Sequence, residues 1–462
     1  MMKSDNINYT LPSGFSELLP GEKRLENYLL DTIRQVFERY GFSPIETPTV
    51  ERLEVLQAKG NQGDNIIYSV TPIVSDNGQG NDEARSENRG LKFDQTVPLA
   101  AYIARHLNEL TFPFARYQMD MVFRGERAKK GRYRQFRQCD IDVVGRNNLS
   151  LLYDAQMPAI INEIFSSLHI GNFLIRISNR KILAGIFKVF GIPEVQVKSC
   201  IRIIDSLDKL GKEKVRKIFL SEGVSELQVS EIMNFVNFRG NSSDILNSLR
   251  DKLSSTREAE ELEQGVNELD EVVKYIKLLQ VPEEKFCIDL SIARGLDYYT
   301  GTVYETSLVG YEALGSICSG GRYEELVSIF VGNKMPGVGL SIGLTRLMRC
   351  LLDEKLLSPM SVCPAQIMVL NMRSELMQVY FEVSQKLRGA DINVFTSFAQ
   401  RPIGKQIQQA DKLGIPLCLI IGPDEHMSGT CRIKNLKTGQ QLDVSQGVLI
   451  DTIRNQISNQ FS

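Results

Sequence analysis

The amino-acid sequence predicts an α+β protein: an antiparallel sheet with helices packed on it, interrupted by a helical module and followed by a smaller α/β domain. Three observations carry that expectation. Residues 115–143 read as two strands joined by a charged turn, the first arm mostly apolar and the second alternating. Residues 180–284 are charged and helix-like throughout, and a strand pattern resumes only at 285–293. Beyond Pro364, apolar strand runs and helical patterns succeed one another as βαβαβ, which calls for parallel pairing.

Taken in order, a turn-rich lead-in (11–20) precedes an amphipathic helix over 22–40, with Leu25, Tyr28, Leu29, Ile33, Val36, Phe37 and Tyr40 at helical steps and Gly41 as its stop. The prolines of 42–48 confine that extended segment to an edge or an interface. A strand over 66–74, a Gly/Asn/Asp-rich loop (75–90) and a returning strand form a hairpin, and 99–110 is helical. In the charged hairpin, Arg134, Phe136, Gln138, Asp140 and Asp142 fall on one side of the second arm, so Gln138 and Asp142 look into one space. Cations, an amide and carboxylates together suit a zwitterion beside a phosphate; an exposed charged turn would carry the same residues.

A helix at 151–168 and a strand at 173–178 follow, then the helical module, whose last helix keeps Leu262, Val266, Leu269, Val273, Ile276 and Leu279 in one stripe. In Arg294-Gly-Leu-Asp-Tyr-Tyr299 a cation and two phenols meet a tight turn, and Ser319-Gly-Gly-Arg-Tyr323 offers glycines for close approach to a ligand. A Gly-spaced strand, 337–343, enters a helix with Arg346 in its first turn; no dinucleotide fingerprint or P-loop is present. The last domain ends in a hairpin turning at Thr438-Gly439 and a helix to about 459, with Lys405, Lys412, Arg432, Lys434 and Lys437 giving it positive character.

Composition narrows the function. With 462 residues the chain holds two or three domains, and a net charge of −2 leaves any nucleic-acid contact to local patches such as 124–137. The eight cysteines include no Cys-x-x-Cys pair, and with three histidines (His106, His169, His426) neither a thiolate zinc site nor a histidine-rich metal centre is indicated. No apolar run approaches a membrane span and the N-terminus lacks a signal-peptide core, so a cytoplasmic protein is expected.

Together these stretches resemble the histidyl-tRNA synthetase family of class II aminoacyl-tRNA synthetases over nearly the whole chain. Residues 21–48 resemble motif 1, Phe123-Arg124-x-Glu126 with Gly131-Arg-Tyr-Arg-Gln-Phe136 motif 2, and Gly343-Leu-x-Arg346 motif 3; the Arg294–Tyr299 and Ser319–Tyr323 runs resemble the histidine signatures. Phe93-Asp-Gln-Thr-Val-Pro98 and Gln138-Cys-Asp-Ile-Asp142 resemble the branch in which aspartates replace glutamates. The resemblance implies a class II core (1–179 and 285–358), a helical insertion (180–284) leaning on the tRNA acceptor arm, and an anticodon-binding α/β domain (363–462). It further implies that L-histidine is activated with ATP and Mg²⁺, that histidine is passed to tRNA(His), and that the chain is a homodimer. Arg124 and Arg294 would be catalytic; Arg124, Glu126, Arg132 and Arg346 would hold ATP. Asp94, Thr96 and Gln138 would receive the ammonium, Asp142 and Tyr299 the imidazole, with Arg294, Tyr298 and Tyr323 completing the histidine site. No metal-ligating residue is assigned. The chain departs from the family at Gly14-Phe-Ser-Glu17, at Thr345 and at Glu324-Glu325. The runner-up within the family is its non-catalytic member, the regulatory subunit of ATP phosphoribosyltransferase.

Overall fold

The computed structural model describes residues 8–58, 66–72, 88–127, 131–254, 260–293, 295 and 299–458. By its internal contacts the chain forms two compact units, 1–16 with 29–357, and 17–28 with 358–462. The helix Pro20–Arg39 therefore contributes to both, which no sequence pattern announced. It begins with Pro20, has Glu22 in its first turn and Arg39 in its last, and stops at Gly41, whose φ of +79° suits glycine.

The first unit is organised on strands β1 (Ser43–Pro44), β2 (Val50–Arg52), β3 (Ser69–Val70), β4 (Arg89–Leu91), β5 (Phe114–Phe123), β6 (Gln135–Val144), β7 (Phe173–Asn179), β8 (Phe286–Ile288), β9 (Thr302–Leu308), β10 (Cys318–Tyr323) and β11 (Gly337–Ile342). Eight of them form one sheet in the order β1-β5-β6-β11-β10-β9-β7-β8, antiparallel except for the edge pairs β1/β5 and β7/β8. The Pro-bearing segment thus sits at an edge, as proline requires. Of the expected 66–74 strand, 73–74 lie outside the described residues and 69–70 form β3; β2 joins β3 and β4 in a small separate sheet that the sequence reading missed. Most of the expected 75–90 loop lies outside the described residues.

The helix expected over 99–110 instead runs Thr96–Arg105, because Asp94 Oδ1 accepts the Val97 N–H at 3.2 Å and starts it earlier. Its Val97, Ala100 and Ile103 share a core with Val144, Tyr323, Leu326 and Val327. On the other side of the sheet the helix Leu152–Ser167 contacts β7, β10 and β11.

The helical module joins β7 to β8, which pair side by side in parallel, so it is one long crossover. Its first and last helices, Arg180–Val189 and Glu260–Leu278, pack backbone to backbone at Gly185 and Gly265. A Cβ on Gly185 would lie 2.5 Å from the Leu262 nitrogen, and one on Gly265 2.8 Å from the Ile182 nitrogen. Lys181 pairs with Glu268 at 2.5 Å across the same crossing.

In the second unit, β12 (Ile367–Val369) lies between β13 (Val394–Thr396) and β14 (Leu417–Ile420), parallel to both, and β15 (Thr430–Asn435) and β16 (Gln441–Ser445) extend the sheet antiparallel. Helices Met377–Arg388 and Leu449–Ser458 pack on one face and Ile403–Lys412 on the other. A short helix, Pro423–Ser428, was not anticipated. Arg24, from the shared helix, donates to the Ser361 carbonyl at 2.6 Å.

No disulfide joins any of the eight cysteines. Among the described residues no helix is long and apolar enough to cross a membrane, and no group of three or more His, Cys, Asp or Glu could hold a metal.

Candidate active site

The period-2 geometry of the central strands sets one polar row beside another. Gln138, Asp140 and Asp142 of β6 stand opposite Asp120, Gln118 and Arg116 of β5. On their other side, Asp140 and Asp142 face Ser341 and Gly339 of β11, which face Ser319 and Gly321 of β10. Serines and glycines here leave a hollow in the sheet, and a cleft of about 420 Å³ opens above it.

The mouth of the cleft is cationic. Arg124, Arg127, Arg132 and Arg346 line it with Glu126. Arg124 donates to the Phe93 carbonyl at 3.0 Å and lies over the Phe136 ring at 5.0 Å, so its fork is aimed by a fixed support. Arg132 reaches Glu126 at 3.2 Å. Arg346 donates to the Leu314 carbonyl beside Gly315, where a Cβ would sit 2.8 Å from its Nη2. Arg134 donates to the Glu126 carbonyl at 3.0 Å and the Ser13 carbonyl at 3.1 Å, clasping the lead-in to the hairpin. Thr345, where the family commonly has glutamate, accepts the Arg137 backbone N–H at 2.8 Å and so ties the last core helix to β6.

Deeper along β6 the cleft turns acidic. Asp94, Thr96, Gln138, Asp140 and Tyr299 line it. Gln138 donates to Ser341 Oγ at 2.6 Å. Burial raises the Asp140 carboxyl to about 7, against the opposing pull of Arg116; Asp142 and Asp94 nearby push the same way as burial. Burial likewise raises the Tyr299 phenol, keeping it a hydrogen-bond donor. Its ring packs where a Cβ on Gly321 would lie 2.8 Å from it.

Two expected pocket residues stand one layer behind this wall. Asp142 Oδ2 pairs with the fully buried Arg116, and its Oδ1 accepts the Tyr323 hydroxyl at 2.8 Å. Each oxygen thus has one partner and keeps a further lone pair, so the Arg116 and Tyr323 contacts fix the orientation of the carboxylate expected to meet the imidazole. Burial raises Asp142 to about 6, opposed by Arg116 and the Tyr323 hydrogen bond. Arg294 and Tyr298 lie outside the described residues, as does part of the 127–131 turn.

The sequence reading missed Arg116 and gave Asp140 no role. A usable signal existed: Arg116, Gln118 and Asp120 alternate with Tyr117, Met119 and Met121, so this arm carries a polar row that reading it as mostly apolar overlooked.

The sequence model described as histidyl-tRNA synthetase matches residues 14–347, and one described as an anticodon binding domain matches 366–456. A histidine–tRNA ligase of Trichormus variabilis is 60% identical, covering 99% of this chain and 100% of the relative. One from Clostridium tetani is 41% identical over 98% of this chain and 100% of its own. The crystal structure of histidyl-tRNA synthetase from Nostoc sp. PCC 7120 superposes with a TM-score of 0.90 at 58% identity, covering 98% and 100% of the two chains. At 18% identity, a structure from Bacillus halodurans titled as an ATP phosphoribosyltransferase regulatory subunit/histidyl-tRNA synthetase shares the fold, with a TM-score of 0.70 over 87% of this chain and 97% of that one.

Proposed function

The chain belongs to the histidyl-tRNA synthetase family, and from that premise we propose how its cleft performs the histidine–tRNA ligase reaction. L-Histidine is activated with ATP to histidyl-adenylate and pyrophosphate, and histidine then passes to the 3′ end of tRNA(His). The observation that carries the assignment of parts is the charge gradient of the cleft, cationic at the hairpin tip and acidic along β6. A zwitterionic amino acid joined to a polyphosphate has the complementary gradient.

The chemistry asks for positioning and for charge stabilisation at phosphorus, without a protein nucleophile. Arg124 clamps the α-phosphate and the substrate carboxylate, while Arg346 and Arg132 hold the rest of ATP. Arg294 faces the α-phosphate from the other side, a role resting on its place in the histidine signature. Mg²⁺ would accompany ATP and offset the phosphate charge, and Glu126, a cleft carboxylate 3.2 Å from Arg132, would be the side chain placed to help hold it. Asp94, Thr96 and Gln138 receive the ammonium, Asp142 and Tyr299 reach the imidazole, and Tyr298 and Tyr323 complete the wall. A site whose polar groups require an imidazole strands them when an apolar side chain enters, which gives selectivity without editing.

The remaining parts follow the same reading. The core comprises 1–179 and 285–358, the 180–284 insertion leans on the tRNA acceptor arm, the turn at 127–131 approaches the acceptor end, and 363–462 reads the anticodon. The chain works in the cytoplasm as a homodimer. The non-catalytic regulatory reading is not favoured, since relatives matched over their full length carry the ligase name.

Histidine-dependent ATP–pyrophosphate exchange by the purified chain tests the enzyme reading, and its absence in a folded protein would overturn it. Deleting 363–462 is expected to weaken tRNA charging while sparing exchange; loss of both together would overturn the division of labour. Mass photometry at working concentration reports the dimer.

A further inference from the structure

The run Arg294–Tyr299 is bounded on both sides by residues that a single arginine holds. Arg180, which opens the helix Arg180–Val189, donates its backbone N–H to the Gly301 carbonyl at 2.9 Å and its Nη1 to the Ala293 carbonyl at 2.9 Å. Ala293 immediately precedes the run and Gly301 stands two residues beyond it. The arginine is 8% exposed and Ala293 1%, so the contact lies in a low-dielectric setting where a charged donor acts strongly.

The chain leading in and out of the run is fixed by other means. Before Ala293, the Asp289 N–H donates to the Ile177 carbonyl at 2.9 Å, and the Asp289 side chain accepts the Ser291 N–H at 3.0 Å. After Gly301, β9 pairs with β7 from Thr302 onward, Thr302 standing opposite Asn179. Within these bounds the Tyr299 N–H donates to the Gly295 carbonyl at 2.9 Å and the Thr300 N–H to the Arg322 carbonyl at 2.8 Å. Arg180 therefore sets the spacing of the two ends, and with it the place of Tyr299 in the cleft and the point from which Arg294 departs.

Arg180 is itself seated from both sides. Asn179 caps the helix by accepting the Lys181 N–H at 3.0 Å and donates its Nδ2 to Glu268 at 2.9 Å, while Lys181 pairs with the same Glu268 at 2.5 Å. Glu268 belongs to the helix Glu260–Leu278, so the clasp is built by the first and last helices of the insertion.

Resting on the histidine-activating reading above, we propose that Arg180 is a positioning residue for amino-acid activation: it closes the two ends of the Arg294–Tyr299 run, and through it the insertion serves the adenylation step before any tRNA is bound. The cations assigned to ATP stand on other elements, Arg124 and Arg132 between β5 and β6 and Arg346 in the helix Leu344–Asp353, so loss of the clasp acts selectively.

The test uses the full-length chain in single-turnover histidyl-adenylate formation without tRNA, a rate constant that does not depend on the fraction of the preparation that is folded. Arg180→Met, which keeps the stem and removes the donors, is expected to slow it by about 10-fold or more, with the KM for ATP in pyrophosphate exchange changed less than about twofold. Arg180→Lys, which keeps a charged donor, is expected to restore part of the rate. An unchanged rate in R180M, or a KM for ATP raised as much as the rate falls, would overturn the proposal. A merely structural role is separated by a double change: in an Arg294→Ala chain, R180M is expected to cost less than about threefold more, since most of what it positions is gone, and a further loss of about 10-fold there would overturn the proposal. Failure of the unaltered chain to form adenylate would instead overturn the functional reading itself.

Discussion

The two main sheets of this chain solve opposite problems. In the second unit, alternate residues of β12 and β14 enter two apolar cores: Ile367, Val369, Leu417 and Leu419 on one face, Met368 and Cys418 on the other. Helices cover both sides, and the strands read as continuous apolar runs. In the first unit, β6 is equally buried but divides by face, with Cys139, Ile141 and Val143 apolar and Gln138, Asp140 and Asp142 polar. The difference teaches where a sheet can hold chemistry. Burial is common to both; a polar row, facing small residues across the register, is peculiar to the first.

Making the polar row apolar breaks the comparison most sharply. Asp142→Leu alone leaves Arg116 buried without its partner and is expected to cost about 3–5 kcal/mol in denaturant unfolding. The double change Arg116→Met with Asp142→Leu is expected to recover most of that loss, as the second sheet would predict, while histidine activation stays impaired. Full recovery of both would show that the row serves stability only. Next in size, Arg124→Ala is expected to slow single-turnover adenylate formation by about 10²-fold or more with little change in melting temperature, the loss of one transition-state donor.

A third effect is a pH dependence peculiar to the first sheet. Asp140 and Asp142 have folded-state values of about 7 and about 6, above the ordinary carboxylate range. Their protonated forms are therefore retained by the folded chain after the unfolded chain has released its protons, so the stability they contribute is lost as pH rises through those values. Arg116 opposes this on both groups, and Asp94 adds to it. Thermal melts of the ligand-free protein are expected to fall from about pH 5 to about pH 8, and Asp140→Asn to flatten that slope. A slope unaltered by the substitution would place the titration elsewhere. The smallest effect is Thr345→Val, which removes the acceptor of the Arg137 N–H and is expected to cost about 1 kcal/mol, read from chemical denaturation.

Periodicity made most of the elements legible. The hairpin arms, the helices at 152–167 and 344–353, and the strands of the second sheet stand within a few residues of expectation, because each buries a face at a regular step. What periodicity could not give was partnership across strands. The place of β2 beside β4, the edge pairing of β1, and the match of Arg116 to Asp142 depend on register between segments far apart in sequence. For the same reason the site was half legible: motif spacing brought Arg124, Glu126, Arg132, Gln138 and Arg346 to one cleft, while the pairing of Asp142 with a buried arginine in another strand was not legible.

The glycines beneath the cleft carry a consequence for inhibition. Any replacement at Gly339 or Gly321 adds a Cβ within 2.2 Å of the Asp142 carboxylate or 2.7 Å of the Thr302 carbonyl. An inhibitor resting on this part of the floor would face a surface that the enzyme has almost no freedom to vary, so escape substitutions would have to arise elsewhere in the cleft, away from these glycines.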